Sequence, residues 1–328
     1  MITRRGLSMA GGIVLLTARP LAWGQAGTKP RRVGSLAIAS RDRSEHFYQA
    51  FELAMRDLGW VEGKNVEYRF LSANGRVERL DALAGELLAQ EVEVIVVGSP
   101  QAARAAQKAT TTIPIVMANV SNAVGNQFVA SLARPGGNIT GITAQNEVVL
   151  GKLIELLHEA VPGARRIAIL LNESSPSHHA FWATAQSACA ALKLVPLRVA
   201  ASAGDQFEHA VAQLMREQAE AIVVVADAMY LTERARLEAL MHTTQLPVVY
   251  ALREHVAAGG LLSYAADIVR NYRDVATYVD KILRGAKPAD LPVAQPTRYE
   301  LVVNLRTAKA LGITIPQSLL LRADEVIQ

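Results

Sequence analysis

Polar residues that can bind a small molecule follow a strongly apolar run near the middle of the first half of this sequence. Residues 94–97 read Val-Ile-Val-Val, which is typical of a strand buried on both faces of a parallel sheet. A turn beginning at Gly98 ends the run, and the alanine-rich stretch 101–109 has helical composition. This pattern places Ser99, Gln101 and free backbone N–H groups at the carboxyl edge of a sheet, where ligands bind in open α/β folds.

The same arrangement occurs again at residues 217–230. It has an acidic lead-in, a run of Ile and Val, and a polar turn at Asp227. Neighbouring landmarks repeat in the same order, with offsets of 134 residues for Arg32 and Arg166, 127 for Glu93 and Glu220, and 133 for Pro114 and Pro247. Offsets that agree this closely predict two lobes of one plan.

Strands and helices alternate along the chain, so we expect parallel sheets with right-handed crossovers. The predicted fold class is α/β, with two doubly wound parallel-sheet lobes joined by a multi-crossing hinge. The helix predicted at 268–283 returns to the first lobe, and the glycine-rich stretch 133–141 is interpreted as a linker leading into a crossing. Each predicted lobe combines two segments, 31–142 with 265–290 and 143–264 with 291–328. A cleft between the lobes follows.

The first strand of the first lobe is predicted to lead through a short loop into a helix. A strand is expected at 32–39, a loop facing the cleft at 40–44, and an amphipathic helix at 45–58. Ser40 would therefore lie at the cleft, as would Asn172 after a strand of the second lobe.

Residues 1–26 are predicted to be an export signal peptide outside the fold. Paired Arg4 and Arg5 precede a modestly apolar segment, and residues 24–26 have the small-x-small form of a signal-peptidase site. The pair resembles a twin-arginine signal, with the general secretory route as the alternative. Removal of this segment, which holds three arginines and no acid, lowers the formal net charge from +4 to +1. The totals therefore do not favour a nucleic-acid partner.

Cysteine usage agrees with export. Cys189 is the only cysteine, so the chain has no internal disulfide and no cysteine at the signal junction for lipid attachment. We expect a soluble periplasmic protein.

Motifs for covalent chemistry are not found in the sequence. No serine stands in a GxSxG motif, and Gly137 and Gly141 fit neither GxGxxG nor GxxxxGK[ST]. The adjacent His178 and His179 do not share a helix face, which disfavours a metal site. We therefore predict no catalytic residues, no cofactor, no metal and no enzymatic activity.

Several longer segments resemble the ABC transporter substrate-binding proteins of the tryptophan/tyrosine-uptake type. The resemblance covers nearly all of the chain after the signal and is carried by residues 62–65, 113–116, 130–141, 257–264, 278–292, 308–312, 315–316 and 322–326. It implies a type I periplasmic binding protein fold, in which two lobes close on a small solute. It also implies delivery of that solute to a separately encoded permease and ATPase.

An amino-acid zwitterion in such a cleft needs donors for its carboxylate and an acceptor for its ammonium. Ser99, Gln101 and the helix N-terminus behind them can supply the donors, with Asn119 or Ser121 assisting. Asp227 is the best acceptor, because a carboxylate at the end of a buried strand needs a partner. Capping of the following helix by Asp227 is an equally weighted alternative.

Three tyrosines near strand ends can pack on an aromatic solute. Tyr230, Tyr250 and Tyr264 have amphipathic rings suited to this role, although core or hinge packing is an alternative for each.

Two other functions remain compatible with the sequence. A sensor domain that presents its ligand to a membrane signalling partner would use the same cleft. An enzyme on a doubly wound fold is a weaker alternative. We predict a monomeric transport receptor that binds a small solute, with an aromatic or branched amino acid as the best guess.

Overall fold

The computed structural model describes residues 29–328. The predicted export signal, residues 1–26, lies outside the described residues. The strands are β1 (Arg31–Ala37), β2 (Val66–Ser72), β3 (Val94–Val97), β4 (Ile115–Ser121), β5 (Ile139–Ala144), β6 (Arg166–Leu171), β7 (Val195–Ala200), β8 (Ala221–Val224), β9 (Val248–Tyr250), β10 (Leu262–Ala266), β11 (Tyr299–Asn304) and β12 (Glu325–Ile327). The α-helices are α1 (Arg41–Asp57), α2 (Leu80–Ala89), α3 (Pro100–Ala109), α4 (Asn146–Ala160), α5 (His178–Ala191), α6 (Phe207–Arg216), α7 (Ala228–Thr232), α8 (Arg234–Thr243), α9 (Arg253–Ala257), α10 (Ile268–Leu283), α11 (Leu305–Ala310) and α12 (Gln317–Leu320). Short 3-10 turns lie at Val77–Arg79, Gly204–Gln206 and Pro288–Asp290.

The first sheet is parallel throughout and has the order β2-β1-β3-β4-β5. Its central strand β3 is apolar on both faces because both faces are covered by helices. Val94 and Val96 join one core with α1, whereas Ile95 and Val97 join the opposite core with α2 and α3. The doubly wound first lobe is therefore confirmed.

Helix α10 completes the core of the first lobe, although it follows the strands of the second. Buried Tyr272, Val275 and Val279 recur at helical spacing and pack in the same cluster as Phe51 of α1. Asp267 begins the helix as its N-cap and accepts a hydrogen bond from the Arg270 N–H at 2.9 Å. The prediction that this helix returns to the first lobe is confirmed.

The second sheet has the order β12-β11-β10-β9-β8-β6-β7, and its helices and strands share one continuous core. All its pairings are parallel except β10 with β11, which are antiparallel. The helix between these two strands lies in the other lobe, so no crossover helix on this sheet imposes a parallel return.

Within residues 29–328 the chain passes between the lobes three times, after β5, after β10 and before β11. The last passage stays close to the first sheet. Val293 packs in a first-lobe core, and the Ala294 N–H donates to the Gly141 carbonyl oxygen at 2.9 Å. The multi-crossing hinge predicted from the sequence is confirmed.

Two sequence predictions need correction. The supposed linker 133–141 runs into β5, an edge strand that pairs with β4. The supposed cleft loop 40–44 is mostly the first turn of α1, which begins at Arg41. Gly141 inside β5 hid the strand signal, because glycine is uncommon in strands except where another backbone approaches closely.

No helix in the part of the chain that the structure describes is long and apolar enough to cross a membrane.

Gly141 is required by backbone geometry, which gives a test of the fold. Its φ is +121°, and an added Cβ would lie 2.3 Å from the Met117 carbonyl oxygen. We expect Gly141→Ala to lower the free energy of unfolding by about 2–3 kcal/mol, measured by denaturant titration. Gly85→Ala, on the exposed face of α2 with no atom within 4 Å of the added Cβ, is the control and should stabilise by up to about 1 kcal/mol. Equal effects of the two substitutions would contradict this account.

Candidate functional site

A cavity lies between the two lobes, at the carboxyl ends of their parallel strands. It has a volume of about 80 Å³. Its lining comes from the first lobe, the second lobe and the N-terminal turns of α10. The lining residues that carry polar side chains other than tyrosine are Ser44, Ser99, Gln101, Asn119, Ser121, Asn146, Ser175, Ser177, His178 and Asp227.

The first lobe presents hydrogen-bond donors at the start of α3. Ser99 is the N-cap, and its Oγ accepts a hydrogen bond from the Ala102 N–H at 3.2 Å, so its hydroxyl proton stays available. The Gln101 N–H lies in the first turn and has no intrahelical acceptor. Gln101 is 6% exposed as a residue, and its side-chain Nε2 has no hydrogen-bond partner among the described residues. Ser99 and Gln101 therefore form an unsatisfied donor group facing the cavity.

Asn119 and Ser121, at the end of β4, line the cavity as predicted but have partners of their own. The Asn146 Nδ2 donates to the Ser121 Oγ at 2.6 Å, and the Asn271 Nδ2 donates to the Asn119 Oδ1 at 3.3 Å. These contacts orient the groups at the hinge side of the cleft.

Asp227 both caps a helix and faces the cavity. Its Oδ1 accepts hydrogen bonds from the Met229 N–H at 2.8 Å and from the Asn172 Nδ2 at 3.1 Å. The side chain is almost fully buried, and its Oδ2 accepts no hydrogen bond from the described residues. The two alternatives weighed for Asp227 are therefore compatible, because one carboxylate oxygen caps α7 and the other is free for a ligand.

His178 lies beside Asp227 without neutralising it. The Asn172 N–H donates to the His178 Nδ1 at 2.7 Å, so the neutral ring carries its proton on Nε2, which is 3.6 Å from the Asp227 Oδ2. Burial lowers the pKa of His178 below its ordinary value of 6.5, and the Asp227 carboxylate only partly opposes this shift. His178 is thus a neutral neighbour of the acid.

An apolar wall completes the cleft. Tyr272 of α10 stacks on Phe47 at a centroid distance of 5.4 Å and meets the edge of Tyr48 at 5.2 Å. Leu231 and Leu252 of the second lobe pack in the same cluster as these rings. The wall therefore has aromatic and aliphatic contributions from both lobes.

The predicted tyrosines lie elsewhere. Tyr230 is buried and donates its hydroxyl to the Ala201 carbonyl oxygen at 2.9 Å. Tyr250 donates to the Glu238 Oε2 at 2.6 Å, and Tyr264 stacks on Tyr299 at 5.6 Å. None of the three lines the cavity. Their rings pack on neighbouring structure in the second lobe, so the core-packing alternative describes them.

Two other predicted residues sit just outside the lining. Ser40 accepts the Ser44 hydroxyl proton through its carbonyl oxygen at 2.8 Å, and its side chain does not line the cavity. Asn172 acts through its hydrogen bond to Asp227. Phe47, Tyr48, Tyr272 and His178 were missed. The available signal is the position of Phe47 and Tyr48 in the second turn of the helix that follows the first strand end, whereas nothing local indicates Tyr272.

The sequence profile of a family described as ABC transporter substrate binding protein matches residues 32–327. The chain belongs to this family. Such proteins are solute-binding receptors that act outside the cytoplasm, so the predicted role in ABC transport is confirmed.

Relatives of this substrate-binding protein share its fold. It is 22% identical over 285 residues to a tyrosine-binding protein of Clostridioides difficile, covering 87% of this chain and 82% of that protein. A conserved domain protein of Vibrio cholerae matches with a TM-score of 0.86 and 25% identity, over 91% of this chain and 100% of that one. An ABC domain of Streptococcus pneumoniae in complex with L-Trp matches with a TM-score of 0.85 and 24% identity, over the same shares. The predicted type I periplasmic binding protein fold is confirmed.

Polar contacts join the two lobes of this receptor across the cleft. Arg43 of α1 donates to the Thr232 carbonyl oxygen and lies 3.5 Å from the Glu233 Oε1. On the other side, the buried Asn126 Nδ2 donates to the Ser177 Oγ at 2.9 Å. The lobes are therefore held in a closed arrangement.

Arg43 gives a test of this closure. We expect Arg43→Ala to weaken solute binding about 5-fold, because loss of roughly 1 kcal/mol of interlobe contact favours the open form. Isothermal titration calorimetry with the bound solute measures the change. Arg322→Ala, which removes an equally exposed ion pair with Glu159 inside the second lobe, is the control and should leave the affinity unchanged. Equal affinities of the Arg43 variant and the parent would contradict a closing role.

The buried neutral His178 predicts a pH dependence of stability. Its pKa is lowered in the folded state, so between that lowered value and 6.5 the unfolded state binds the extra proton, and stability falls as the pH falls. In the variant His178→Asn, the Asn Oδ1 can still accept the Asn172 N–H. Between pH 7 and pH 5 its free energy of unfolding should fall by up to about 2 kcal/mol less than that of the parent. Urea unfolding at the two pH values measures this difference, with His209→Asn on the exposed face of α6 as the control. Identical acid sensitivity of parent and variant would refute the assignment.

Proposed function

We propose that this substrate-binding protein captures one amino acid with an aromatic or branched side chain. One observation carries the proposal. The buried Asp227 carboxylate of one lobe faces a cavity that also contains the unpartnered donors at Ser99 and Gln101 of the other lobe, beside an apolar wall. Ammonium, carboxylate and side chain each require one of these features.

Each group then has a defined role. The Asp227 Oδ2 accepts from the ammonium, and Asn172 holds that carboxylate in place. The Gln101 N–H and Nε2 donate to the solute carboxylate together with the Ser99 hydroxyl, at the positive end of α3. Asn119 and Ser121 border the same region.

Relatives support an aromatic side chain, since one is described as tyrosine-binding and another was solved with L-Trp. The ring would pack among Phe47, Tyr48 and Tyr272, where offset and edge contacts between rings are favourable.

Entry of such a solute requires the lobes to separate, and the lining side chains must then rearrange around it when the lobes close again. The cavity of about 80 Å³ is smaller than the roughly 150 Å³ in which benzene fits inside a protein. The three interlobe segments supply the hinge for that motion.

We also infer the cellular setting. Residues 1–26 direct export to the periplasm, where the protein works as a monomer and passes its solute to a separately encoded permease and ATPase. The cleft binds without turnover, because the groups gathered there are donors, an acid already engaged in capping and a neutral histidine.

Thermal unfolding of the purified protein against aromatic and branched amino acids, dicarboxylates, sugars and nucleosides tests the proposal. An aromatic or branched amino acid at about 100 times its Kd should add roughly 2.7 kcal/mol to the free energy of unfolding. Stabilisation by a sugar or nucleoside alone would overturn the amino-acid assignment.

Asp227→Asn keeps the capping oxygen but removes the charge, so we expect it to weaken amino-acid binding by at least about 100-fold. The control is Asp267→Asn, at the N-cap of α10. Asp267 itself does not line the cavity, so this variant should bind as the parent does. Equal loss in both variants would point to damaged folding rather than a lost ammonium contact.

A further inference from the structure

We propose that the cleft recognises its solute mainly through the ammonium group, so that primary arylalkyl amines form a second class of ligand. The inference rests on the proposed function in that the cleft must bind a small organic solute. It goes further because it treats the solute carboxylate as dispensable.

The charges of the cavity are unequal. Asp227 is an acid, and neither a lysine nor an arginine is among the residues that line the cavity in the described part of the chain. The other lining groups are neutral hydroxyls, amides and aliphatic or aromatic side chains, together with His178. A monocation therefore leaves the occupied cleft neutral, a zwitterion leaves it with one negative charge, and a monoanion leaves it with two.

Asp227 has no internal counter-ion within residues 29–328. Its Oδ1 is occupied by Met229 and Asn172, and its only charge-capable neighbour within ion-pair distance is His178, whose Nε2 is 3.6 Å from the Oδ2. His178 is held neutral by geometry, because its Nδ1 already accepts the Asn172 N–H. A buried carboxylate with one free oxygen and no cation requires a positive partner from outside.

The hydrogen-bond donors of the first lobe, across the cavity from Asp227, do not need a charged partner. The Gln101 Nε2, the Gln101 N–H and the Ser99 hydroxyl are all neutral, and a water molecule can satisfy them when no carboxylate is present. Losing the solute carboxylate therefore costs hydrogen bonds whose donors are uncharged and can turn to water instead. Losing the ammonium leaves a buried charge unpaired, and a carboxylate that remains adds a like charge beside it.

Two matched series of compounds test this order by isothermal titration calorimetry on the purified protein. One is L-tryptophan, tryptamine and indole-3-propionate. The other is L-tyrosine, tyramine and 3-(4-hydroxyphenyl)propionate. In the series whose amino acid binds, we expect the amine within about 30-fold of the amino acid, and the deaminated acid at least about 100-fold weaker than the amino acid.

Variants assign the effect to the charge. Asp227→Asn should abolish amine binding and bring the deaminated acid above the amine, because the negative charge in the cleft is gone. The same substitution at another N-cap aspartate, Asp267→Asn, should keep the parent's order of affinities for the three compounds.

The outcomes separate the two proposals. If the amino acid binds but the deaminated acid binds more tightly than the amine, the inference is overturned and the proposed function stands. If the amine binds and the amino acid does not, the inference stands and the amino-acid assignment is overturned. If no compound of either series binds, the inference is overturned, and the proposed function then stands only if a branched amino acid stabilises the protein.

Discussion

The packing of α10 against α1 is the contact on which the arrangement of both lobes depends. The apolar stripe of α10 fills a core of the first lobe, yet the helix is encoded after the strand β10 of the second. The chain must therefore leave the second sheet, build this helix and return for β11. Short crossings at one side keep both sets of strand ends facing the same cleft. The first turns of α10 then carry Ile268 and Tyr272 into the lining, so one helix completes a core and forms part of the site.

The two sides of the site arise from the same local device. Ser99 follows β3 and Asp227 follows β8, which are matching strands of the repeat, and each caps the helix that comes next. A cap residue uses one lone pair for the helix and turns its remaining polar group outward. In the first lobe the remaining groups are neutral donors, whereas in the second the remaining group is a carboxylate oxygen. A repeated plan thus produces opposite chemistry across the cleft, which can orient a zwitterion.

This device explains how much of the site could be predicted. Ser99, Gln101 and Asp227 follow strands that the apolar runs mark clearly, and parallel strands bring such positions to one edge. The direction of an aromatic ring has no comparable signal. Tyr250 ends β9 but is held away from the cleft by Glu238 and stacks on His255. Tyr272 lies far along the chain from Phe47, and only the return of α10 brings the two rings together. Strand β5 was not predicted for a similar reason. Gly141 is needed because the Met117 backbone of β4 lies against it, and the residues next to Gly141 in sequence do not indicate this contact.

Closure of the lobes is a balance that a ligand can decide. The Arg43 contact is half exposed, and exposed ion pairs are worth about 0–1 kcal/mol, while a neutral hydrogen bond such as that of Asn126 to Ser177 adds about 1 kcal/mol. These contacts are weak enough that the cleft can open to let a solute enter or leave. Asp227 and Gln101 belong to different lobes, so a solute that pairs with both gains its second contact only when the lobes close. The solute therefore binds the closed form more tightly than the open form by the free energy of that second contact. This difference in affinity shifts the protein from the open to the closed form. A solute that reaches only one lobe would bind without closing the cleft.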